Sequence, residues 1–325
     1  MDVFAQQLVN GLTLGAVYAV VALGYTMVYG VIQLINFAHG EVVMVGAMVA
    51  FSVINALAAA GMPPVAVVLI GTACAVPVCM LCAYLMERFA YRPLRQAPRL
   101  APLITAIGVS IILQHLAMLV WSRNVLAFPQ IIPLVKFRVL GATVTGVQLA
   151  ILALCVAMMA GLALLVYRTR LGTAMRATAQ NPRVARLMGV DVDRVVSATF
   201  LIGAALAAVA GVMVGTYYGV AQYTMGSVLG LKAFAAAVLG GIGNIPGAMA
   251  GGLLLGVVEA LGAGYIGDIT DLCRYGLGPA SSCADGGHFI LFGSNYQDVF
   301  AFVVLILVLV FRPSGLLGER VGDRA

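Results

Sequence analysis

Three polar residues interrupt the apolar stretch 31–51, and their types could act on a solute inside a membrane. Asn36, His39 and Glu41 stand close together, beside Gly40. An ionisable group near the middle of a membrane is costly, so by default it faces a cavity or a partner. The glycine and the polar groups therefore predict a broken or half-buried helix along a pathway. The alternative left open is a satisfied polar knot in which Asn36 and His39, three residues apart, bond each other and neighbouring carbonyls.

Other chemistries for these residues are less well supported. We predict no metal site, because one histidine and one carboxylate are too few ligands. An intramembrane enzyme would use His39 and Glu41 as acid and base, but no nucleophile is spaced to match them. We therefore predict no catalytic residue. An ion-coupled secondary transporter, with Glu41 or Glu259 as a proton or sodium site, stays open as another class.

A second unusual zone, 226–259, is rich in glycine and broken near its middle. Glycines four residues apart share one helix face and let another backbone approach closely. Asn244 and Pro246 break the zone into two short runs, a pattern typical of discontinuous helices around a midplane site. Gly243 and Asn244 are candidate pathway residues, and Glu259 is a candidate pathway or packing carboxylate. Lys232 could pair with a carboxylate or snorkel outward, and we favour snorkelling. The spaced glycines are Gly243, Gly247 and Gly251, then Gly252 and Gly256.

The polar segment 171–194 carries a short helix of its own. Asn181 can cap this helix, Pro182 suits its first turn, and Gly189 can end it. Helical spacing places Val184, Leu187 and Met188 on one face. A solvated positive-inside loop is the simpler alternative, but such a loop needs only arginines. We therefore predict a docking element that a cytoplasmic partner binds. The residues expected to take part include Arg176, Arg183, Arg186 and Leu187.

Two cysteines occur in the long polar segment 266–295, which is expected outside the cytoplasm. Cys273 and Cys283 are ten residues apart and predict a disulfide, which would reduce the entropy of the loop. A reduced, mobile loop is the alternative.

The composition sets the class of protein that these segments belong to. The chain has 325 residues, of which 62% are hydrophobic and only 9% charged. Soluble domains carry about 25% charged residues, so the chain is expected to be an all-α, polytopic membrane helical bundle without a separate soluble domain. The net charge of +6 indicates no nucleic-acid binding, because the basic residues cluster between apolar segments.

The basic clusters also predict the topology. Thirteen of the 18 lysines and arginines fall in the segments 88–99, 168–194 and 312–324, which belong on the cytoplasmic side. Alternation between these segments predicts eight or nine membrane-crossing or re-entrant helices and a cytoplasmic C-terminus. The side of the N-terminus is not determined by this pattern.

Long motifs in a fixed order point to one transporter family. The chain contains NGLTLGAVYAVVALGYTMVYGVIQLINFAHGE, ERFAYRPLR, MRATAQNPRVARLMGVDVDRVVSATFLIGAALAAVAGV and LKAFAAAVLGGIGNIPGAMAGGLLLGVVEAL. Over nearly its whole length it resembles the inner-membrane permeases of branched-chain amino-acid ABC importers, and specifically their H-type subunit. Related permeases carry urea, short amides or other amino acids, and the motifs NFAHGE and GGIGNIPGA do not separate these substrates.

The resemblance implies a single permease domain in a bacterial inner membrane. It implies an M-type permease partner, two cytoplasmic ATPases that use ATP, and a periplasmic binding protein, with membrane lipid around the helices. In that picture 171–194 is the coupling segment, and 266–295 is an insertion facing the binding protein. The chain has no GxxxxGK[ST] phosphate loop, so ATP hydrolysis is assigned to partner chains and no cofactor is expected on this one.

Overall fold

The protein is described here from a computed structural model that covers residues 2–58, 61–95, 97–98, 100–130, 135–139, 141–273, 290–292 and 296–318. These residues form eleven α-helices, a π-helical turn (Met86–Tyr91), a 3₁₀ turn (Arg92–Leu94) and four short strands. The helices are α1 (Asp2–Ile32), α2 (His39–Ala58), α3 (Pro64–Leu85), α4 (Leu100–Val120), α5 (Gly146–Arg168), α6 (Arg170–Gln180), α7 (Pro182–Leu187), α8 (Val192–Tyr218), α9 (Met225–Gly240), α10 (Ile245–Ile269) and α11 (Gln297–Phe311).

Seven of the described helices are long and apolar enough to cross a membrane, and α9 and α11 are shorter apolar helices. A helix needs about 20 apolar residues to cross a membrane, and the apolar runs of this sequence are long enough to form such helices. Their backbone groups bond within each helix, as a membrane requires. The predicted polytopic helical bundle is confirmed.

Helix α1 runs through the centre of the bundle, where it packs against α5, α8, α9 and α10. Its contact with α10 is the closest, because both helices present glycines at the crossing. A Cβ on Gly256 would overlap the backbone of Gly15, and a Cβ on Gly252 would overlap that of Ala19. On another face of α10, Gly251 lies against the backbone of Ala236 in α9. The spaced glycines therefore bring three helix backbones together, as predicted.

Both predicted helix breaks occur. Helix α1 ends at Ile32, and α2 begins only at His39; between them Gln33 takes a positive φ of 53°. Helix α9 ends at Gly240, and α10 begins at Ile245 after a turn in which Gly241 and Gly243 have φ of 104° and 94°. A positive φ is incompatible with a continuous α-helix, so the chain is interrupted at both points. At the second break, glycine adopts this conformation without steric cost.

The two ends of the bundle differ in chemistry. At one end, strands β2 (Lys136–Val139) and β3 (Ala142–Thr145) form an antiparallel hairpin. Gln6 bonds Thr143 of the hairpin, so the N-terminal part of α1 lies at this end. We call it the hairpin end. Two further strands, β1 (Leu126–Ala127) and β4 (Val220–Ala221), also pair there.

The opposite end, which we call the basic end, carries the arginines of 88–95 and 168–194. Helices α6 and α7 lie here between α5 and α8. The segment after α11 returns to the α9–α10 turn, where Leu316 N donates to Leu239 O at 2.8 Å and Leu317 N donates to Gly240 O at 3.0 Å. Within the described chain, the N-terminal and C-terminal segments thus lie at opposite ends.

Residues 274–289 and 293–295, which make up most of the predicted insertion 266–295, lie outside the described residues. Cys283 is among them, and so the predicted Cys273–Cys283 disulfide stays a prediction.

The close contact of α1 with α10 predicts that one added methyl group at Gly256 is destabilising. We expect Gly256→Ala to lower the stability by about 1–3 kcal/mol, because the new Cβ would force two backbones apart. Thermal unfolding in detergent measures this change. Gly161→Ala is the matched control, since Gly161 lies on an exposed helix face with no atom within 4 Å of an added Cβ. Equal behaviour of the two variants would contradict the proposed contact.

Candidate functional site

Helix α7 at the basic end has the capped form expected from its sequence. Asn181 is its N-cap, and the Asn181 Oδ1 accepts hydrogen bonds from Arg183 N at 3.0 Å and Val184 N at 3.1 Å. Pro182 occupies the first turn, where its missing N–H costs nothing. Gly189 follows with a φ of 84°, which ends the helix and turns the chain toward α8.

One side of α7 is attached to the bundle and the other is open. Ala185 is buried, whereas Val184, Leu187 and Met188 are 51%, 85% and 80% exposed. Three neighbouring apolar side chains on a polar, non-membrane segment are typical of a protein-binding surface. Arg183 is also exposed beside them. Arg176, in contrast, lies over the ring of Tyr167 at 5.7 Å and helps to hold α6 on α5.

A groove of about 1,010 Å³ runs beside this surface at the basic end. Its walls come from the end of α1, the 3₁₀ turn, α6, α7 and the start of α8. Four arginines line it, which are Arg92, Arg95, Arg183 and Arg186.

An ion-pair network anchors the start of α8 and ties it to the basic turn after α3. Asp193 accepts from Arg92 at 2.7 Å and from Arg95 at 2.6 Å, and Arg186 of α7 lies 3.9 Å away. Arg95 also pairs with Glu87, whose side chain is fully buried. Ser197 of α8 donates to the second oxygen of Glu87 at 2.8 Å. The network therefore connects α7, α8 and the π-helical turn.

The π-helical turn continues this connection toward the break between α1 and α2. The Tyr91 hydroxyl donates to Asn36 Oδ1 at 2.6 Å, and Ala38 N donates to the same oxygen at 3.1 Å. Both Tyr91 and Asn36 are buried. His39 N donates to the backbone carbonyl of Asn36 at 3.0 Å, but the two side chains do not bond each other. The side-chain oxygen of Asn36 instead accepts from Tyr91, which the fold brings from a distant segment.

His39 and Glu41 face different neighbours from Asn36. The His39 ring packs edge-on to Tyr25 of α1, with centroids 4.9 Å apart, and fills the space left by Gly24. Glu41 Oε1 accepts from Gln114 at 2.7 Å and from Ser110 at 3.1 Å, both on α4. Both side chains are buried. Their predicted pathway role stays a prediction.

The two candidates at the α9–α10 turn have a clear structural environment. Asn244 caps α10 by accepting from Gly247 N at 3.2 Å, and its amide donates to Leu317 O at 2.7 Å. Gly243 lies close to Gly30 at the end of α1. This turn therefore joins the ends of α1 and α10 to the C-terminal segment.

Lys232 departs from the expectation. Instead of snorkelling, its side chain is buried and lies 2.7 Å from Glu259 Oε1 and 2.7 Å from Asp298 Oδ1. Tyr18 of α1 donates to Glu259 Oε2 at 2.9 Å and accepts from Lys232 at 3.3 Å. The prediction of snorkelling was wrong because two carboxylates on neighbouring helices satisfy the ammonium inside the bundle. We call these four residues the core ion cluster.

Comparison with known proteins identifies the family to which these sites belong. Residues 7–309 match the family described as the permease component of the branched-chain amino acid transport system. This chain belongs to that permease family. Its relatives include the high-affinity branched-chain amino acid permease BraD of Pseudomonas aeruginosa, with 45% identity covering 97% of this chain and 96% of the relative. The LivH permeases of Salmonella typhimurium and Escherichia coli K12 are 42% identical, with the same coverage. No solved structure matches the chain.

Membership in the permease family makes the chain a multi-pass membrane transport subunit. The long sequence motifs occupy defined positions in the structure. The NFAHGE motif forms the α1–α2 break, ERFAYRPLR forms the turn that carries Glu87 and Tyr91, and GGIGNIPGA forms the α9–α10 turn.

Several residues of these sites were not predicted from the sequence. They are Tyr18, Glu87, Tyr91, Asp193 and Asp298. A usable signal existed for three of them, since a carboxylate at the edge of an apolar run needs a cation nearby. The partners themselves are set by helix packing.

The buried position of Glu87 predicts that its charge stabilises the basic end. We expect Glu87→Gln to lower the stability by about 1–3 kcal/mol, because Arg95 loses a charged partner away from water. Asp191→Asn is the control: its pair with Arg194 is exposed, such pairs contribute about 0–1 kcal/mol, and asparagine keeps the N-cap of α8. Thermal unfolding of both variants measures these changes. A Glu87→Gln protein as stable as the wild type would contradict the stabilising role of the network.

Proposed function

We propose that the chain is a permease subunit of an ABC importer that carries branched-chain amino acids across a bacterial inner membrane. The observation that carries this proposal is the 42–45% identity, over 97% of the chain, to permeases named for high-affinity transport of these substrates. Leucine, isoleucine and valine are the proposed solutes. In this proposal an M-type permease completes the pathway, and a periplasmic binding protein delivers the solute.

The basic end is proposed to face the cytoplasm, because lysine and arginine are retained on that side. The hairpin end then faces the periplasm. Since Gln6 bonds Thr143 of the hairpin, the N-terminus would be periplasmic, and the C-terminal segment beside α9 and α10 would be cytoplasmic. The proposal thus includes a side for the N-terminus, which the sequence pattern left open.

Helix α7 is proposed to dock on a cytoplasmic ATPase, one of two in the assembly. Its exposed apolar residues Val184, Leu187 and Met188 would fill a groove of the partner, with Arg183 at the rim. Apolar anchors surrounded by charged residues are the usual composition of such interfaces. ATP would be bound and hydrolysed by the partner, and this chain would bind no cofactor.

Movement of α7 would reach the membrane through the contacts of the basic end. Arg186 and Asp193 connect α7 and α8 to Arg95 and Glu87, and Tyr91 then holds Asn36 at the α1–α2 break. Arg186 and Asp193 form a longer, partly exposed ion pair, Glu87 and Arg95 lie deeper, and the π-helical turn joins Glu87 to Tyr91. A displaced α7 would therefore pull on the break through these contacts. The solute would pass when α1 and α2 shift at this point.

A substitution at Gly189 tests the docking role of α7 without altering a side-chain contact. A Cβ at this position would meet no atom within 4 Å, so any effect of a substitution comes from the positive φ. We expect Gly189→Val to reduce leucine uptake strongly while ATP hydrolysis continues and the protein stays in the membrane. Gly189→Asn is the matched control, because asparagine tolerates a left-handed backbone. Coupled uptake by Gly189→Val at the wild-type rate would exclude the proposed role of α7.

The substrate class is tested by labelled leucine uptake in cells deleted for this chain and then complemented. We expect uptake to be lost and rescued, and to be competed by isoleucine and valine but not by urea. Urea competition would assign the chain to another branch of the family. Unchanged leucine uptake in the deleted cells would overturn the proposed substrate.

A further inference from the structure

A cavity of about 260 Å³ lies between α1, the end of α8 and the start of α9. This volume is just below the roughly 300–1,000 Å³ of typical small-ligand pockets, so it suits a solute of amino-acid size. Its wall contains both apolar and polar side chains. The apolar lining residues are Val214, Val220, Met225, Val228 and Leu229, and the polar ones are Tyr18, Tyr218, Gln222, Thr224 and Lys232.

Two residues of the core ion cluster, Tyr18 and Lys232, belong to this wall. The side chains of Lys232 and Glu259 are 9% and 1% exposed, whereas that of Asp298 is 42% exposed. The pair of Lys232 with Glu259 is thus the deep part of the cluster. Asp298, which is held on α11, is the outer and more easily exchanged partner of the ammonium.

The charges of the cluster do not balance. One ammonium faces two carboxylates, and a purely structural pair inside the membrane would need only Lys232 and Glu259. Among the described residues, the second carboxylate leaves an excess negative charge beside Lys232, which itself lines the cavity. A solute that brings both a carboxylate and an ammonium could enter between Lys232 and Asp298 and leave every charge with an opposite neighbour.

We propose that this cavity is a transient binding subsite for the zwitterionic backbone of the transported amino acid, an inference that rests on the proposed function. The solute carboxylate takes the place of Asp298 at Lys232 Nζ, and the solute ammonium pairs with the released Asp298. Glu259 and the Tyr18 hydroxyl hold Lys232 in position throughout. The branched side chain lies against Val214, Val228 and Leu229.

The arrangement would also let the site bind the solute without holding it too tightly for release. Exchange of one carboxylate for another at Lys232 changes neither the number of ion pairs made by the ammonium nor the net charge of the pocket. Binding energy therefore comes mainly from the apolar wall and the new ammonium–carboxylate pair. A pathway needs such a balance, because a solute held too tightly would not leave.

The test uses the complete transporter in proteoliposomes, with Val228→Cys as a reporter in the wall of the cavity. The rate of its reaction with a small thiosulfonate is measured by peptide mass spectrometry, without nucleotide and after vanadate trapping, because access alternates. A cysteine introduced at Arg138, an exposed position of the hairpin, serves as the reference thiol in the same protein. Leucine is compared with 4-methylpentanoate, which lacks the ammonium, and with 3-methylbutylamine, which lacks the carboxylate.

We expect leucine to slow the labelling of Val228→Cys in at least one state and the two analogues to do so poorly. Adding Lys232→Met with Glu259→Gln, which removes the charges as a pair, should raise the protecting concentration of leucine about tenfold or more, as expected for lost charged hydrogen bonds. Lys136→Met, in the hairpin, is the matched control and should change nothing. Val220→Cys, in the same wall, replaces the reporter if Val228→Cys does not assemble.

Two results would overturn the subsite. One is the absence of leucine protection at both reporters while the wild-type chain transports leucine, which leaves the proposed function intact. The other is unchanged protection in the charge-removed variant with lowered thermal stability, which would make the cluster a structural element only. Failure of the wild-type chain to transport leucine would instead refute the proposed function, so the two failures are distinguishable.

Discussion

The contact of α1 with α10 is the constraint on which the other features depend. Their glycines let the two backbones touch, and α1 is therefore surrounded by helices on nearly all sides. In a membrane, apolar side chains gain little by leaving lipid, so close packing and polar contacts must hold the helices together. Because α1 is packed tightly at its centre, its contacts with non-helical segments lie at its two ends. These are the bonds of Gln6 to the hairpin and the break that follows Ile32.

Buried charge is the second organising feature, and it is arranged differently in two places. At the basic end, Glu87 and Asp193 meet arginines from a neighbouring turn, and the resulting network joins α7 to the membrane helices. In the core, Lys232 meets Glu259 and Asp298 beside a cavity. The first network is partly exposed and suits transmission of movement between elements. In the second, Lys232 and Glu259 are buried, which suits recognition of a charged solute, since electrostatic interactions are stronger away from water.

Polar side chains also fix the two breaks in the helices. Asn36 lies at the α1–α2 break and is held by Tyr91, while the α9–α10 turn is held by Asn244 and the returning C-terminal segment. Each break thus has a polar side chain that bonds free backbone groups, which makes an interruption inside a membrane protein tolerable. A break fixed in this way is a defined joint between rigid segments, which is what alternating access requires.

The sequence by itself determined the class, the helix breaks and the capped helix α7, because all three follow from local rules: the length of apolar runs, the conformations open to glycine and proline, and the capping of an adjacent backbone. The family was also evident from long motifs. Only the tertiary structure decided which polar groups meet. Snorkelling was favoured over a carboxylate pair for Lys232, and a bond between the Asn36 and His39 side chains was left open; instead Lys232 pairs with Glu259 and Asp298, and the Asn36 side chain bonds Tyr91. These partners lie on other helices, 27 to 66 residues away, and their distance and direction depend on how glycine-lined helices cross, which no local pattern specifies.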